Sequence, residues 1–118
     1  MSNGYLGTRG SLPEQDQSSS PATLVAGVFD RRSGQAPEEL VIFPDWLFTR
    51  IYVDEERLQM KRKHIVEQRR VLDMSKGVLY RELLYEDITD RLTCIRFTSF
   101  ASLAQPHLLI LRVTVVPR

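Results

Sequence analysis

The residues best placed to do chemistry open the chain. In "MSNGYLGTRG" three glycines fall at Gly4, Gly7 and Gly10. Glycines ahead of a helix can cradle a phosphate on their exposed N–H groups. Here no Lys-Ser or Lys-Thr pair follows, and the spacing misses both the P-loop and the dinucleotide fingerprint. The next stretch, "SLPEQDQSSS", is a poor helix former. A structural reading fits better. Asn3-Gly4 is a turn pair, and glycines let backbone approach another surface closely. If the stretch is extended, Tyr5, Gly7 and Arg9 share a face, with Tyr5 and Arg9 flanking a shallow notch able to grip another domain.

The other reactive side chains are scattered. His64 and His107 have no partner at metal-ligand spacing, so no metal site is expected. Cys94, the single cysteine, has no identifiable base to make it a nucleophile and reads as a small buried hydrophobe on a strand. Asp54, Glu55, Glu56, Asp73, Glu86, Asp87 and Asp90 all lie in or beside turns, where acidic residues are favoured on conformational grounds. Nothing marks two of them as a glycosidase pair. The basic run "KRKHIVEQRR" (61–70) could meet phosphates. It lacks interleaved aromatics and sits beside "DEE", so a solvated face is expected. Trp46 in "FPDW" could stack on a sugar; a lone Trp more often packs in a core or an interface.

The elements that must position these residues are strands. "TLVAGVFD" (23–30) has β-formers around Gly27, a position suited to a bulge. "LVIFPDW" runs apolar into Pro44, and "FTRIYV" (48–53) alternates. "VLYRELLYED" (78–87), "LTCIRFTSFA" (92–101) and "LLILRVTVV" (108–116) are the clearest strands, with "DMSKG" and "EDITDR" as turns between such runs. In the second of these, Thr93, Ile95, Phe97 and Ser99 share one side. Gly77 would supply a positive φ. The pattern predicts an antiparallel, mostly β architecture. Residues 55–74 resist, because helix formers dominate and Leu58, Ile65 and Leu72 recur every seventh residue. The positions four residues on, Arg62 and Arg69, leave the apolar stripe thin, and propensity leaves helix and strand both open.

With 118 residues, the chain is at most one domain. Sixteen basic against fifteen acidic residues provide no global field to draw in nucleic acid or an anionic membrane. No apolar run approaches the ~20 residues that span a bilayer. The absence of a signal-peptide pattern and the lone cysteine make a cytoplasmic protein the expectation.

Taken together, "NGYLGTRG", "TLVAGVFD", "FPDWLFTRIYVDEERL", "RVLDMSKGVLYRELLYED" and "FASLAQPHLLILRVTVVP" resemble, in order and spacing, the N-terminal region of family 65 glycoside hydrolases. That family includes the maltose, trehalose and kojibiose phosphorylases and their hydrolase relatives. The resemblance runs from Asn3 to Pro117. It implies an antiparallel β-sandwich, part of a super-β-sandwich, that leads in the full enzymes to a catalytic (α/α)6 barrel. It also turns 61–70 from helix to turn plus strand. Four positions depart from the family pattern. Glu55 and Asp90 stand where glycine is usual, "FTSF" lacks an arginine, and Gln105 replaces an acidic residue.

The whole chain, 1–118, is therefore expected to be a partial N-terminal sandwich without the barrel. Its expected role is non-catalytic: a scaffold, an oligomer interface and a wall of the active site of an enzyme acting on α-glucosidic disaccharides. Tyr5, Arg9 and Trp46 are the candidate contacts to sugar or barrel. No cofactor is expected, although the resemblance implies inorganic phosphate as co-substrate for the phosphorylases of the family. Half a sandwich leaves an apolar face and strand edges open, which predicts a homodimer or larger homo-oligomer. The alternative is a free-standing β-sandwich module that binds carbohydrate or a protein partner.

Overall fold

The computed structural model describes residues 1–9, 12–13, 20–53, 55–58 and 62–118. Gly10, most of the polar stretch after it, Asp54 and Lys61 lie outside the described residues. The protein is all-β, and its main sheets, three- and four-stranded, are antiparallel, the class expected from the sequence. The chain forms two compact units. The first comprises Met1–Phe48 and Ala101–Leu109, the second Thr49–Phe100 and Ile110–Arg118.

The first unit holds β1 (Leu6–Thr8), β2 (Thr23–Asp30) and β3 (Glu39–Phe43), in that order across the sheet. The β2 strand occupies the predicted "TLVAGVFD". Its register against β3 shifts between Leu24 and Phe29, and Gly27 inside the shift has φ +77°. This bulge places a residue at positive φ, a conformation that a side chain resists and glycine adopts freely. Leu6, Ala22 and Leu47 are buried in this unit.

The second unit begins with a short ribbon, β4 (Tyr52–Val53) and β5 (Glu56–Arg57). The alternation of "FTRIYV" predicted a longer strand. The ladder described pairs Tyr52 with Arg57 and Val53 with Glu56, and Leu58 N–H donates to Ile51 O at 2.9 Å just beyond it. A single 3₁₀ turn (Arg62–His64) leads into β6 (Ile65–Asp73), followed by β7 (Val78–Glu86), β8 (Leu92–Ala101) and β9 (Leu109–Pro117). The sheet order is β6-β7-β8-β9. Over the described residues of 55–74 the helical propensity thus yields to turn plus strand, as the family resemblance implied. From Glu67 to Asp73, β6 pairs residue by residue with β7, and a ladder outweighs the few tenths of a kcal/mol per residue that separate intrinsic preferences.

Alternation decides the packing. Leu83 pairs with Ile95 and Tyr85 with Thr93, so these side chains share one face. That face carries the core of Leu58, Leu83, Tyr85, Ile95 and Phe97, with Ile51, Val53, Ile65, Leu111 and Val113 packed around it. Thr93, Ile95, Phe97 and Ser99, read as one side of β8 from the sequence, are all buried. Cys94, on the opposite side, is buried too. Val66, Glu67, Gln68, Arg69 and Arg70 on β6 are all exposed, so the described part of the basic cluster is solvated, as expected.

Candidate functional site

The N-terminal stretch folds as a tight hairpin. Thr8 N–H donates to Met1 O at 2.8 Å, Ser2 bridges Gly7, and Asn3 N–H donates to Leu6 O at 3.1 Å. Gly4 and Tyr5 form the tip. Gly4 has φ +88°, the left-handed conformation that a two-residue hairpin tip demands and that glycine adopts without strain. Gly7 stands beside Ser2, whose Oγ would lie 3.6 Å from an added Cβ. Ser2 therefore stands over the position beside Gly7 where a notch was expected.

Asn3 organises this tip in two directions. Its Oδ1 accepts from Tyr5 N–H at 3.0 Å and Leu6 N–H at 2.8 Å, which fixes the turn. Its Nδ2 donates to Ser102 O at 2.6 Å and Pro106 O at 2.9 Å, which fixes the loop between β8 and β9. Both amide hydrogens and both acceptor positions are used, the full capacity of this side chain. The loop is closed on itself as well. Ser102 N–H donates to Leu108 O at 3.0 Å, Leu108 N–H to Gln105 O at 2.9 Å, and Gln105 N–H to Ser102 Oγ at 3.0 Å.

The tie presents side chains outward. The Tyr5 and His107 rings meet edge to face, 4.5 Å between centroids at 84°, a favoured aromatic geometry. Tyr5 is 38% exposed, and Leu108, next to His107, and Leu103, in the same loop, are also exposed. The result is an exposed aromatic and apolar patch held by a satisfied polar clamp, a surface suited to docking.

Of the three residues expected to make contacts, Tyr5 lies in this patch. Arg9 instead donates from Nη1 to Ser20 Oγ at 3.1 Å. Trp46 is half-buried, and its indole N–H is buried with no hydrogen-bond partner among the described residues. Asn3 and His107 were not singled out from their chemistry. From the sequence Asn3 reads only as part of a turn pair and His107 only as a histidine without a metal partner; that the two meet at one patch has no signal beyond both falling inside the stretches that carry the family resemblance.

Two carboxylates of the second unit organise its turns. Asp87 Oδ1 accepts from Thr89 N–H and Oγ1, both at 2.7 Å, and from Arg91 N–H at 3.0 Å, while Oδ2 accepts from Arg91 Nε at 2.7 Å. These bonds, the Thr89 hydroxyl foremost, hold its carboxyl well below the usual carboxylate range. Asp73 does the same for the β6–β7 turn through Ser75 and Lys76, and its pKa is lowered chiefly by the Ser75 hydroxyl. His64 donates or accepts at Nδ1, 3.1 Å from Glu86 O. As a carbonyl only accepts, Nδ1 carries the proton. His64 and Asp87 line a cavity of about 380 Å³ with Arg57, Lys63 and Tyr85.

Comparison with known proteins places this geometry in context. A family model described as "Glycosyl hydrolase family 65, N-terminal domain" matches residues 1–118. Kojibiose phosphorylase of Thermoanaerobacter brockii is 34% identical over 117 residues, covering 99% of this chain and 15% of that enzyme. Nigerose phosphorylase of Lachnoclostridium phytofermentans is 31% identical over 115 residues, covering 98% of this chain and 15% of that enzyme. The alpha,alpha-trehalose phosphorylase of T. brockii is 26% identical over 131 residues, covering 99% and 17% respectively. The chain thus spans about 15% of the length of the kojibiose phosphorylases it matches.

Proposed function

The chain belongs to the N-terminal domain family of glycosyl hydrolase family 65, and from that premise we propose that it is the non-catalytic β-domain of an enzyme that phosphorolyses or hydrolyses α-glucosidic disaccharides. Its role is to dock against the catalytic portion, to help wall its active site and to provide a self-association surface, in the cytoplasm. The supporting observation is the Asn3 clamp. It draws two stretches about a hundred residues apart into one exposed patch around Tyr5 and His107. Both stretches belong to the motifs by which the family is recognised. A clamp with every hydrogen bond satisfied fixes the patch before a partner arrives, which lowers the entropy cost of docking.

The test is a chimera. Residues 1–118 replace the matching N-terminal segment of T. brockii kojibiose phosphorylase, and phosphorolysis of kojibiose is measured. An active chimera that loses activity about tenfold with Tyr5→Ala or His107→Ala, while remaining folded, supports the reading. Turnover of kojibiose with phosphate by the 118-residue chain alone would overturn the non-catalytic assignment. An active chimera indifferent to both substitutions would overturn the docking role of the patch.

A further inference from the structure

Two structural demands meet at the tip of the first hairpin. The clamp uses a short side chain that accepts twice and donates twice, which is the amide of asparagine. The turn uses glycine at the next position, where φ is +88°. The fold therefore sets the only asparagine of the chain directly before a glycine. That pair carries a chemical liability. A glycine nitrogen has no side chain beside it to hinder attack on the preceding side-chain amide, and asparagine is among the thermolabile residues. The clamp opposes this attack. To react, the Asn3 amide must leave its plane and swing off its partners. Tyr5 N–H at 3.0 Å and Leu6 N–H at 2.8 Å hold Oδ1, and Ser102 O at 2.6 Å and Pro106 O at 2.9 Å hold Nδ2. The attacking nitrogen is engaged as well, because Gly4 N–H donates to Ser2 Oγ at 3.2 Å.

We infer that Asn3-Gly4 is a self-modification site, held unreactive by the clamp and converted to aspartate and isoaspartate when the clamp opens. In the open state Gly4 N attacks Asn3 Cγ. The Gly4 N–Cγ bond forms and the Cγ–Nδ2 bond breaks. Nδ2 leaves as ammonia, carrying the proton that Gly4 N gave up. Water then opens the cyclic imide. Cleavage at Cγ leaves aspartate, and cleavage at the backbone carbonyl carbon leaves isoaspartate, with the main chain running through the side chain. Nothing is oxidised or reduced. Neither product can remake the clamp. A carboxylate has no hydrogen to give Ser102 O and Pro106 O, and isoaspartate adds a methylene to the backbone of a tight hairpin. Reaction thus releases the hairpin from the β8–β9 loop irreversibly and separates Tyr5 from His107. The inference needs only the clamp and not the docking role proposed for the patch.

The test compares the folded 118-residue chain with the free peptide MSNGYLGTR, both kept in mildly alkaline buffer. Peptide mass spectrometry follows the exchange of NH2 for OH at residue 3, and enzymatic methylation counts isoaspartate. The folded chain should react at least about tenfold more slowly than the peptide, the ratio reporting how seldom the clamp opens. Ser102→Ala removes the Oγ that accepts from Gln105 N–H and so loosens the loop that holds Nδ2, with Asn3 and Gly4 untouched. It should speed the reaction several-fold in the folded chain. Urea below the unfolding midpoint should do the same in the parent, which keeps the test intact where Ser102→Ala unfolds the chain. The product should contain isoaspartate and lack the nuclear Overhauser contact between the Tyr5 and His107 rings. A folded chain that reacts as fast as the peptide would overturn the protection. A rate indifferent to urea and to Ser102→Ala would overturn the opening step. Aspartate without isoaspartate would overturn the backbone attack, and a product that keeps the Tyr5–His107 contact would overturn the release.

Discussion

The side chain of Asn3 donates to the backbone carbonyl of Ser102 at 2.6 Å, across 99 residues of chain. The same amide reaches Pro106 O, so one side chain joins the first hairpin to the β8–β9 loop. Asn3→Asp keeps the acceptor that orders Tyr5 and Leu6 and replaces the donor with an oxygen facing two carbonyls. A loss of about 1–3 kcal/mol is expected. Urea unfolding followed by the fluorescence of Trp46, in the same unit, measures it. An unchanged midpoint would show the tie to be energetically idle.

Among the described residues, Glu55 and Asp90 are the non-glycines with positive φ, at 67° and 59°. They are also the two positions where the family resemblance expects glycine. A left-handed conformation costs an ordinary residue roughly 1–2 kcal/mol, and aspartate less than glutamate. Allowing for the entropy glycine loses on folding, Glu55→Gly should stabilise by about 1 kcal/mol and Asp90→Gly by less. Gly77→Ala, at φ +65°, should destabilise by a similar amount. Thermal midpoints of the three variants would settle the signs, and a destabilised Glu55→Gly would refute the argument.

Asp87 makes stability depend on pH in acid. Its folded pKa lies below the ordinary value of 3.8, so the unfolded chain takes up its proton first as pH falls. The stabilisation is fully present above the unfolded value and is lost as pH drops through the folded one. Asp87→Asn should therefore be less stable than the parent at pH 7, and the gap should narrow below about pH 4. Denaturant titrations at pH 7, 4 and 2.5 test this. A gap that is constant with pH would mean that the carboxylate charge is irrelevant to the β7–β8 turn.

Leu83 and Ile95 are 1% and 0% exposed and lie opposite each other on β7 and β8. Either one changed to alanine removes buried methyl groups and leaves a cavity, at a cost of about 2–5 kcal/mol. Ile42 on β3 is 63% exposed, and Ile42→Ala should cost within about 0.5 kcal/mol. Equal effects at the two sites would contradict the assignment of the core to the β7–β8 face.

The candidate site was only partly legible in the sequence. Tyr5 stands out because an aromatic between glycines is conspicuous. Asn3 and His107 do not, because Asn3 bonds to the carbonyls of Ser102 and Pro106. Every residue has a carbonyl, so such an acceptor leaves no mark in the residue types. The Tyr5–His107 contact likewise exists only once two distant stretches meet.

Local pattern alone determined β2 and β8 to the residue, the bulge at Gly27, and the turns at Asp73–Gly77 and around Asp87. Alternation, β-branching and side-chain-to-backbone hydrogen bonds act over a few residues, and the sequence displays them directly. The tertiary structure decided three further things: that 65–73 is a strand, which side of β8 is buried, and which residues share the Asn3 clamp. Each depends on a partner far along the chain. Helix and strand propensities over 55–74 differ by tenths of a kcal/mol per residue, and the ladder with β7 tips that balance. Until the ladder exists, propensity does not fix the outcome, and only the family resemblance implied a strand there.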